Sequence, residues 1–468
     1  MEIRRRRRAS LSLGLKKNPH KMTISPSKVK VLKEKFISLI KSPKWYKLLV
    51  QGNQYGFEES LYKEMLGLYD SINEAMIDEV SQSKAFQMLQ RKRAKELGLK
   101  KLVLRPVEIQ LRTGTKVRYE DLYSKKVAKG YKGNRHLSHV LWKTDQKNGL
   151  AYQGLTCLLS VICPSFNLAK EVLRYMGVKA NSDRVRSLSL SLGNACLQAR
   201  SRVQLQAGES LAGKRVLIAM DGGRARTRLY PTGQQSGRNQ PYETPWREPK
   251  LFVITTVDEN GKANKETLPI YDSCFGDDET FDLLEQYLKG LEMDKARDIQ
   301  FSGDGALWIW KRAKPMLMRL GVAESNITET LDFYHAMEHL EELKVYIDKE
   351  QQESIFKGLK QALFQGDLKK MQRLLKKGIP GVNLKEFGPY QYFTKNKKRI
   401  DYESLKKQNR PRGSGVIESG IRRIINLRFK CPSSFWYPEN VEKLILMRSI
   451  VLSGRWTFMI QNILNFRT

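Results

Sequence analysis

Cysteine is scarce in this chain: five in 468 residues, at 157, 163, 196, 274 and 431. An odd, scattered set excludes a disulfide framework and fits a reducing compartment. Cys157 and Cys163 lack the spacing of a zinc knuckle and read as buried thiols. Long apolar runs are also missing. No stretch of eighteen apolar residues exists, so no membrane-spanning helix is expected. No internal repeat is evident, so the chain is not an array of one unit. Acids are few: 49 Asp and Glu stand against 84 Lys and Arg, a net charge of +35. An excess of that size calls for a polyanionic partner. Nucleic acid fits best, because neutralising phosphates releases counterions. An anionic membrane surface fits less well.

The length exceeds one compact core, so about two to four folded units are expected, and 40% hydrophobic residues suffice to fill them. Residues 1–25 open with MEIRRRRRASLSLGLKKN, whose middle is too short and polar for a signal peptide's apolar segment. They read as a disordered basic tail that touches phosphates, or as read-through with Met22 as the working start. Residues 26–100 show apolar spacing of three to four and predict helices. PVEIQLRTGTKVRYEDLY, residues 106–123, alternates around Thr113-Gly114-Thr115 and predicts a hairpin. FNLAKEVLRYMG and the segment from Arg184 to Leu197 predict two helices around a turn. That is helix-turn-helix spacing, which would aim Arg184 and Arg186 at a DNA major groove, although ordinary helical domains use the same pattern.

From residue 211 the pattern changes to strand, strand, strand, helix, strand, helix, strand. KRVLIAMDGG is an apolar run ending in an acid, and Asp258-Glu-Asn-Gly261 predicts a turn between the second and third strands. ARDIQFSGDG runs into Asp304, and NITETLDFYHAMEHL runs through a strand into a helix. Residues 346–410 are charged and helical with an apolar stripe, and read as an insertion. Asp277, Asp278 and Glu279 read as a helix start.

Asp221 ends one strand, Asp304 another, and Glu418 opens the helix within GSGVIESGIRRIINLRFK. Strand ends and helix starts on one side of an α/β sheet are where ligands gather. Converging carboxylates repel, and divalent cations remove that cost. Two Mg²⁺ or Mn²⁺ ions, roughly 3.5–4 Å apart, activate a water or a 3′-hydroxyl at a phosphodiester. On a regular helix Glu418, Arg422 and Asn426 share a polar face, with Arg423, Arg428 and Lys430 as further phosphate contacts. Arg224, Arg226 and Arg228 alternate after Asp221 and read as a phosphate rail or a solvated strand edge. Of Trp308 and Trp310, one is expected in the core and the other free to stack on an unpaired base; for Trp436 and Tyr437 the core is the safer reading. Each acid also has a plainer reading, as a turn residue or a helix cap.

MDGGRARTR, SGDGALWIW, LDFYHAMEHL, GSGVIESGIRRIINLRFK and LMRSIVLSGRW resemble the motifs of the DDE transposases of bacterial insertion sequences. These belong to the ribonuclease H-like, or retroviral integrase, superfamily. The resemblance spans about residues 100–456 and keeps the motif order. It implies an α/β ribonuclease H-like core with a mixed five-stranded sheet and flanking helices, a helical insertion, and a mainly helical DNA-binding region in front. The implied layout is a basic tail (1–25), a helical region (26–100), a hairpin with a helix-turn-helix-like DNA-binding region (101–210), the first part of the core (211–345), the insertion (346–410), and the last core helix with C-terminal helices (411–468). The implied triad is Asp221, Asp304 and Glu418, holding two Mg²⁺ or Mn²⁺ ions. Asp332 and His335 match a D-x-x-H and are implied to lie near the site, although His335 also suits a structural role. The 113 residues between Asp304 and Glu418 imply the insertion, and Glu386 and Glu403 rival Glu418 as the third acid. The implied activity is metal-dependent cleavage at an element's ends followed by strand transfer, by a homo-oligomer on DNA, in a prokaryotic cytoplasm at the nucleoid. A nuclease that never joins, and a non-catalytic DNA-binding derivative, are the alternatives.

Overall fold

Prolines and small polar residues punctuate the first hundred residues, and the helices start where they stand. A computed structural model describes residues 24–144, 147–230, 241–264, 269–413, 415–431 and 434–466. Residues 1–23 of the basic tail lie outside these residues. The chain divides into two compact units, one from Met1–Leu155 with Lys170–Asn181, the other from Thr156–Ala169 with Ser182–Arg467. In the first unit, helices Pro26–Ile40 and Pro43–Val50 each carry proline in the opening turn, where its missing N–H costs nothing. Helices Gln54–Gln82 and Lys84–Glu96 are capped by Asn53 and Ser83, which accept from Gly56 N at 2.8 Å and Phe86 N at 3.2 Å. Strands β1 (Lys100–Gln110) and β2 (Lys116–Lys126) pair antiparallel with Ile109 opposite Val117. The ladder runs beyond the expected 106–123 at both ends. Gly114 turns the hairpin at φ +81°, with the Lys179 carbonyl 2.3 Å from where a Cβ would stand.

The second unit is built on β3 (Arg215–Gly222), whose residues Val216 to Met220 are all buried, as a strand covered on both faces requires. The short β4 (Ala225–Arg226) and β5 (Trp246–Arg247) pair with each other. Strands β6 (Pro249–Val257), β7 (Ile270–Phe275), β8 (Asp298–Gly303) and β9 (Ile327–Leu331) complete a sheet of order β7-β6-β3-β8-β9. β3, β6 and β7 run antiparallel, while β3, β8 and β9 run parallel. This mixed five-stranded sheet with flanking helices is compatible with a ribonuclease H-like core. Val216, Ile218, Phe252 and Phe301 pack under helix Asp277–Gly290, which starts at the acid cluster Asp277–Glu279. The Asp258–Gly261 turn forms, with Gly261 at φ +74°, but β7 begins only at Ile270. The turn is closed as expected by an antiparallel bridge between Val257 and Ala263, and residues 265–268 between it and β7 lie outside the described residues.

Residues 346–410, read from sequence as helical, carry helices Gln352–Phe364, Leu368–Gly378, Gly388–Lys395 and Tyr402–Lys407. Their core (Leu359, Leu363, Met371, Leu375, Phe393) is continuous with Leu331, Ala336 and Leu340, from β9 and the helix after it. Helices Phe166–Tyr175 and Ser182–Ala199 also form, and the boundary between the two units falls within the first of them. The second is committed to the core by Val185, Leu188, Leu192 and Cys196, leaving Arg184 half-buried and Arg186 exposed. No helix among the described residues is long and apolar enough to cross a membrane.

Candidate active site

Parallel strands in register carry equivalent positions to one edge of a sheet. Ala219 of β3 pairs with Ser302 of β8, and Gly303 of β8 with Leu331 of β9. Asp221, Asp304 and Asp332 therefore end three neighbouring strands at the same level. Backbones there are about 4.8 Å apart from one strand to the next. The sequence reading put Asp332 beside the site; its register puts it in line with the other two. ITETLD does not mark its acid as IAMD does, because Thr328, Glu329 and Thr330 interrupt the apolar run.

Local hydrogen bonds fix each acid. Asp221 Oδ1 accepts from Gly222 N at 2.6 Å. Asp304 Oδ1 accepts from Ala306 N at 2.9 Å, and its carbonyl accepts from the Tyr392 hydroxyl at 2.8 Å. That tyrosine stands on helix Gly388–Lys395, and no motif in the sequence points to it. Gly305, at φ +94°, is walled by Tyr392, Asn396 and Leu331. Asp332 is wholly buried; its N donates to the Gly303 carbonyl at 2.8 Å, and its Oδ1 caps helix Phe333–Leu343 by accepting from His335 N at 2.9 Å. His335 Nδ1 lies 3.3 Å from Glu338 Oε2.

Electrostatics ties the group together. Burial, reinforced by Asp304 and Asp332, pushes the Asp221 carboxyl up to about 6 against the pull of His335. Burial disfavours a charged imidazole at His335, but Asp221, Asp332, Glu338 and Asp304 outweigh it and raise its pKa. Glu418 reaches solvent, and partial burial of its carboxyl, then Asp332 and Glu338, raise its pKa against His335. Its rivals stand elsewhere: Glu403 pairs with Lys407 at 3.1 Å, and Glu386 is exposed. Glu418's helix is set against the sheet by Gly420, which leaves no room for a Cβ beside Tyr271 and Leu251, and by the Tyr271 hydroxyl donating to the Val416 carbonyl at 3.2 Å.

That helix departs from the expected regular one. Gly415–Gly420 is α-helical, Ile421–Asn426 is a π-helix, and Leu427–Phe429 is α-helical again. The wider turn breaks the single polar face: Arg422 and Arg423 are exposed, while Asn426 is half-buried with Oδ1 unpartnered. Lys430 is exposed. Arg428, expected as a phosphate contact, is fully buried. Its Nη1 donates to the Cys163 carbonyl at 2.8 Å, and its Cζ sits 4.7 Å from the Phe166 ring and 5.1 Å from Trp436. Burial, then Arg448, lowers its pKa to about 10. Arg428 is thus a core residue, and the expectation for it is corrected.

The arginines after Asp221 also differ from a free rail. Arg224 is exposed, but Arg226 and Arg228 are half-buried among aromatic rings. Trp310 is in the core, and Trp308 is half-buried with the Lys250 amine 4.6 Å from its ring.

The donor chemistry at the sheet edge, hard carboxylate oxygens with unbalanced negative charge, suits a hard divalent cation. Among the described residues no three Asp, Glu, His or Cys side chains are gathered closely enough to form a ligand set. The acids thus share one edge and one field without making a closed coordination shell.

No family model and no curated protein matches the chain. Among solved structures it is similar to a Drosophila P element transposase strand transfer complex, at 14% identity and a TM-score of 0.26, over 67% of this chain and 80% of that one. A likeness that slight carries neither fold nor function to this protein.

Proposed function

We propose that this protein is a DDE-type transposase, cutting DNA at the ends of a mobile element and joining the freed 3′ ends to target DNA. One observation carries the reading: Asp221, Asp304 and Asp332 end adjacent parallel strands in register, where burial, reinforced by the other two acids, raises Asp221. Acids gathered at such cost, at the ends of adjacent strands, mark a candidate functional site. Asp221 and Asp304 would hold Mg²⁺ or Mn²⁺, with Glu418 completing the set. Bound there, such ions supply an activated water or hydroxyl and relief of charge on the leaving oxygen. The chain's own part is to aim those carboxylates. Asp332 serves by capping the helix that presents His335, and His335 balances the acids with a proton held beside Asp221. Arg224, Arg422, Arg423 and Lys430 are exposed for phosphates, and Arg186 suits a second DNA contact. Joining two element ends calls for a homo-oligomer on DNA.

The absence of a closed ligand set among the described residues favours one competing reading, a DNA-binding protein without chemistry. Cleavage of the DNA flanking its own coding sequence, in Mg²⁺ or Mn²⁺, decides between them. The transposase reading expects Asp221→Asn to retain DNA affinity and lose cleavage by about a hundredfold or more. Wild-type binding without cleavage under either metal overturns it. Cleavage without joining of pre-cut ends leaves a nuclease of the same fold.

A further inference from the structure

Five residues beyond Asp221 the chain enters an array of cations and rings. Arg226 Cζ lies 4.9 Å from the Phe435 ring and 5.6 Å from Trp246. Arg228 Cζ lies 4.6 Å from Tyr437 and 5.1 Å from Tyr242. The array is held by backbone: Arg226 pairs with Trp246, Trp436 N donates to the Arg226 carbonyl at 3.1 Å, and Arg228 N donates to the Trp436 carbonyl at 2.8 Å. Trp436 in turn packs edge-on to Phe429 at 5.3 Å, at the end of the Glu418 helix. One platform is thereby fastened to the elements carrying two of the proposed catalytic acids.

Two features do not suit a plain structural cluster. Both Arg226 Nε and Arg228 Nε are buried with no hydrogen-bond partner, so each guanidinium has a donor still to be satisfied. Yet Trp246 is 51% and Tyr242 38% exposed, so both of these aromatic side chains reach solvent beside the guanidiniums. Ring faces stack with bases, and guanidinium donors accept company from phosphate oxygens. In a duplex the base faces are already covered by their neighbours, so open rings serve an unpaired base. Five residues of chain span at most about 18 Å, which keeps the platform within a few nucleotides of a strand held at Asp221.

We infer that Arg226, Arg228, Trp246, Tyr242, Phe435 and Tyr437 form a stacking site for an unpaired nucleotide of single-stranded DNA next to the cleavage site. The inference rests on the DNA reading above and adds the strandedness of the substrate to it. The test uses the full chain and two probes, a fully paired duplex and the same duplex with a short single-stranded overhang carrying 2-aminopurine. The overhang is expected to bind more tightly than the blunt duplex, with its fluorescence quenched by stacking. Trp246→Ala should cost on the order of tenfold for the overhang and abolish the quenching. Trp246→Phe should keep most of both, and neither variant should change affinity for the blunt duplex. Equal binding of both probes by wild type, or equal losses on both in Trp246→Ala, overturns the stacking site while leaving a DNA-binding enzyme intact. Failure of wild type to bind either probe overturns the site together with the proposed function.

Discussion

His139 is a histidine placed where its charge is least welcome. It is 3% exposed in the first unit, and burial, then the neighbouring His136, lowers its pKa to about 4, with Asp121 opposing. An unfolded histidine titrates near 6.5, so the folded form is the poorer proton binder. Its contribution is whole above about pH 6.5 and is lost as the pH falls to about 4, for about 3 kcal/mol in all. Urea unfolding across that window should show the loss, and His139→Gln should flatten it; an unchanged slope in the variant would rule His139 out as the cause. Residue type alone did not reveal such burial. Arg428 reads in sequence as one basic residue among several, yet Phe166, from a distant segment, and Trp436, just beyond the end of its own helix, enclose it. The strand-end acids were legible because an apolar run stopping at Asp-Gly declares both a strand and its end. Asp332 lacked the glycine, and its equivalence emerges only from the register of β8 with β9.

Among the elements, the π-helix after Glu418 depends on one distant side chain. Arg448, 9% exposed, donates through Nε to the Ile424 carbonyl at 2.8 Å, and through its terminal nitrogens to the carbonyls of Arg423 and Val161. A π-turn misaligns carbonyls that an α-helix would satisfy internally, and here a guanidinium collects them. Arg448→Met keeps the length and removes the donors. Each stranded carbonyl costs about 1–3 kcal/mol, partly offset by losing a desolvated charge, so a net loss of about 2–4 kcal/mol is expected. Equilibrium urea denaturation measures it, and a change below about 0.5 kcal/mol would mean that the π-turn does not lean on Arg448. Nothing in IESGIRRIINLRFK announces the wider turn, because its apolar spacing fits a regular helix. By contrast, the strands of the sheet were legible from their composition, whereas their order β7-β6-β3-β8-β9 is set by contacts far apart in the chain.

At the scale of the molecule, the division into two units was illegible for a physical reason. Two of its boundaries fall inside the continuous helices Leu150–Ile162 and Phe166–Tyr175, where no linker marks them, and the third falls just before helix Ser182–Ala199. The charge, by contrast, is plain in the sequence and makes its own prediction. A chain at +35 that binds DNA through phosphates must release counterions, and its affinity must fall with salt. With about six to ten phosphate contacts, affinity for a random duplex should drop by about 10³–10⁵ between 50 and 200 mM salt. Burial sorts which cations take part. Arg422 and Arg423 are exposed beside Glu418, so the double substitution Arg422→Ala, Arg423→Ala should reduce the log–log slope by about two. Arg428 is enclosed, so loss of its charge should leave the slope unchanged even where stability suffers. Fluorescence anisotropy over a salt series reads both. A wild-type affinity indifferent to salt would detach the basic surplus from DNA, and equal slopes for wild type and the double variant would move the phosphate path away from the Glu418 helix.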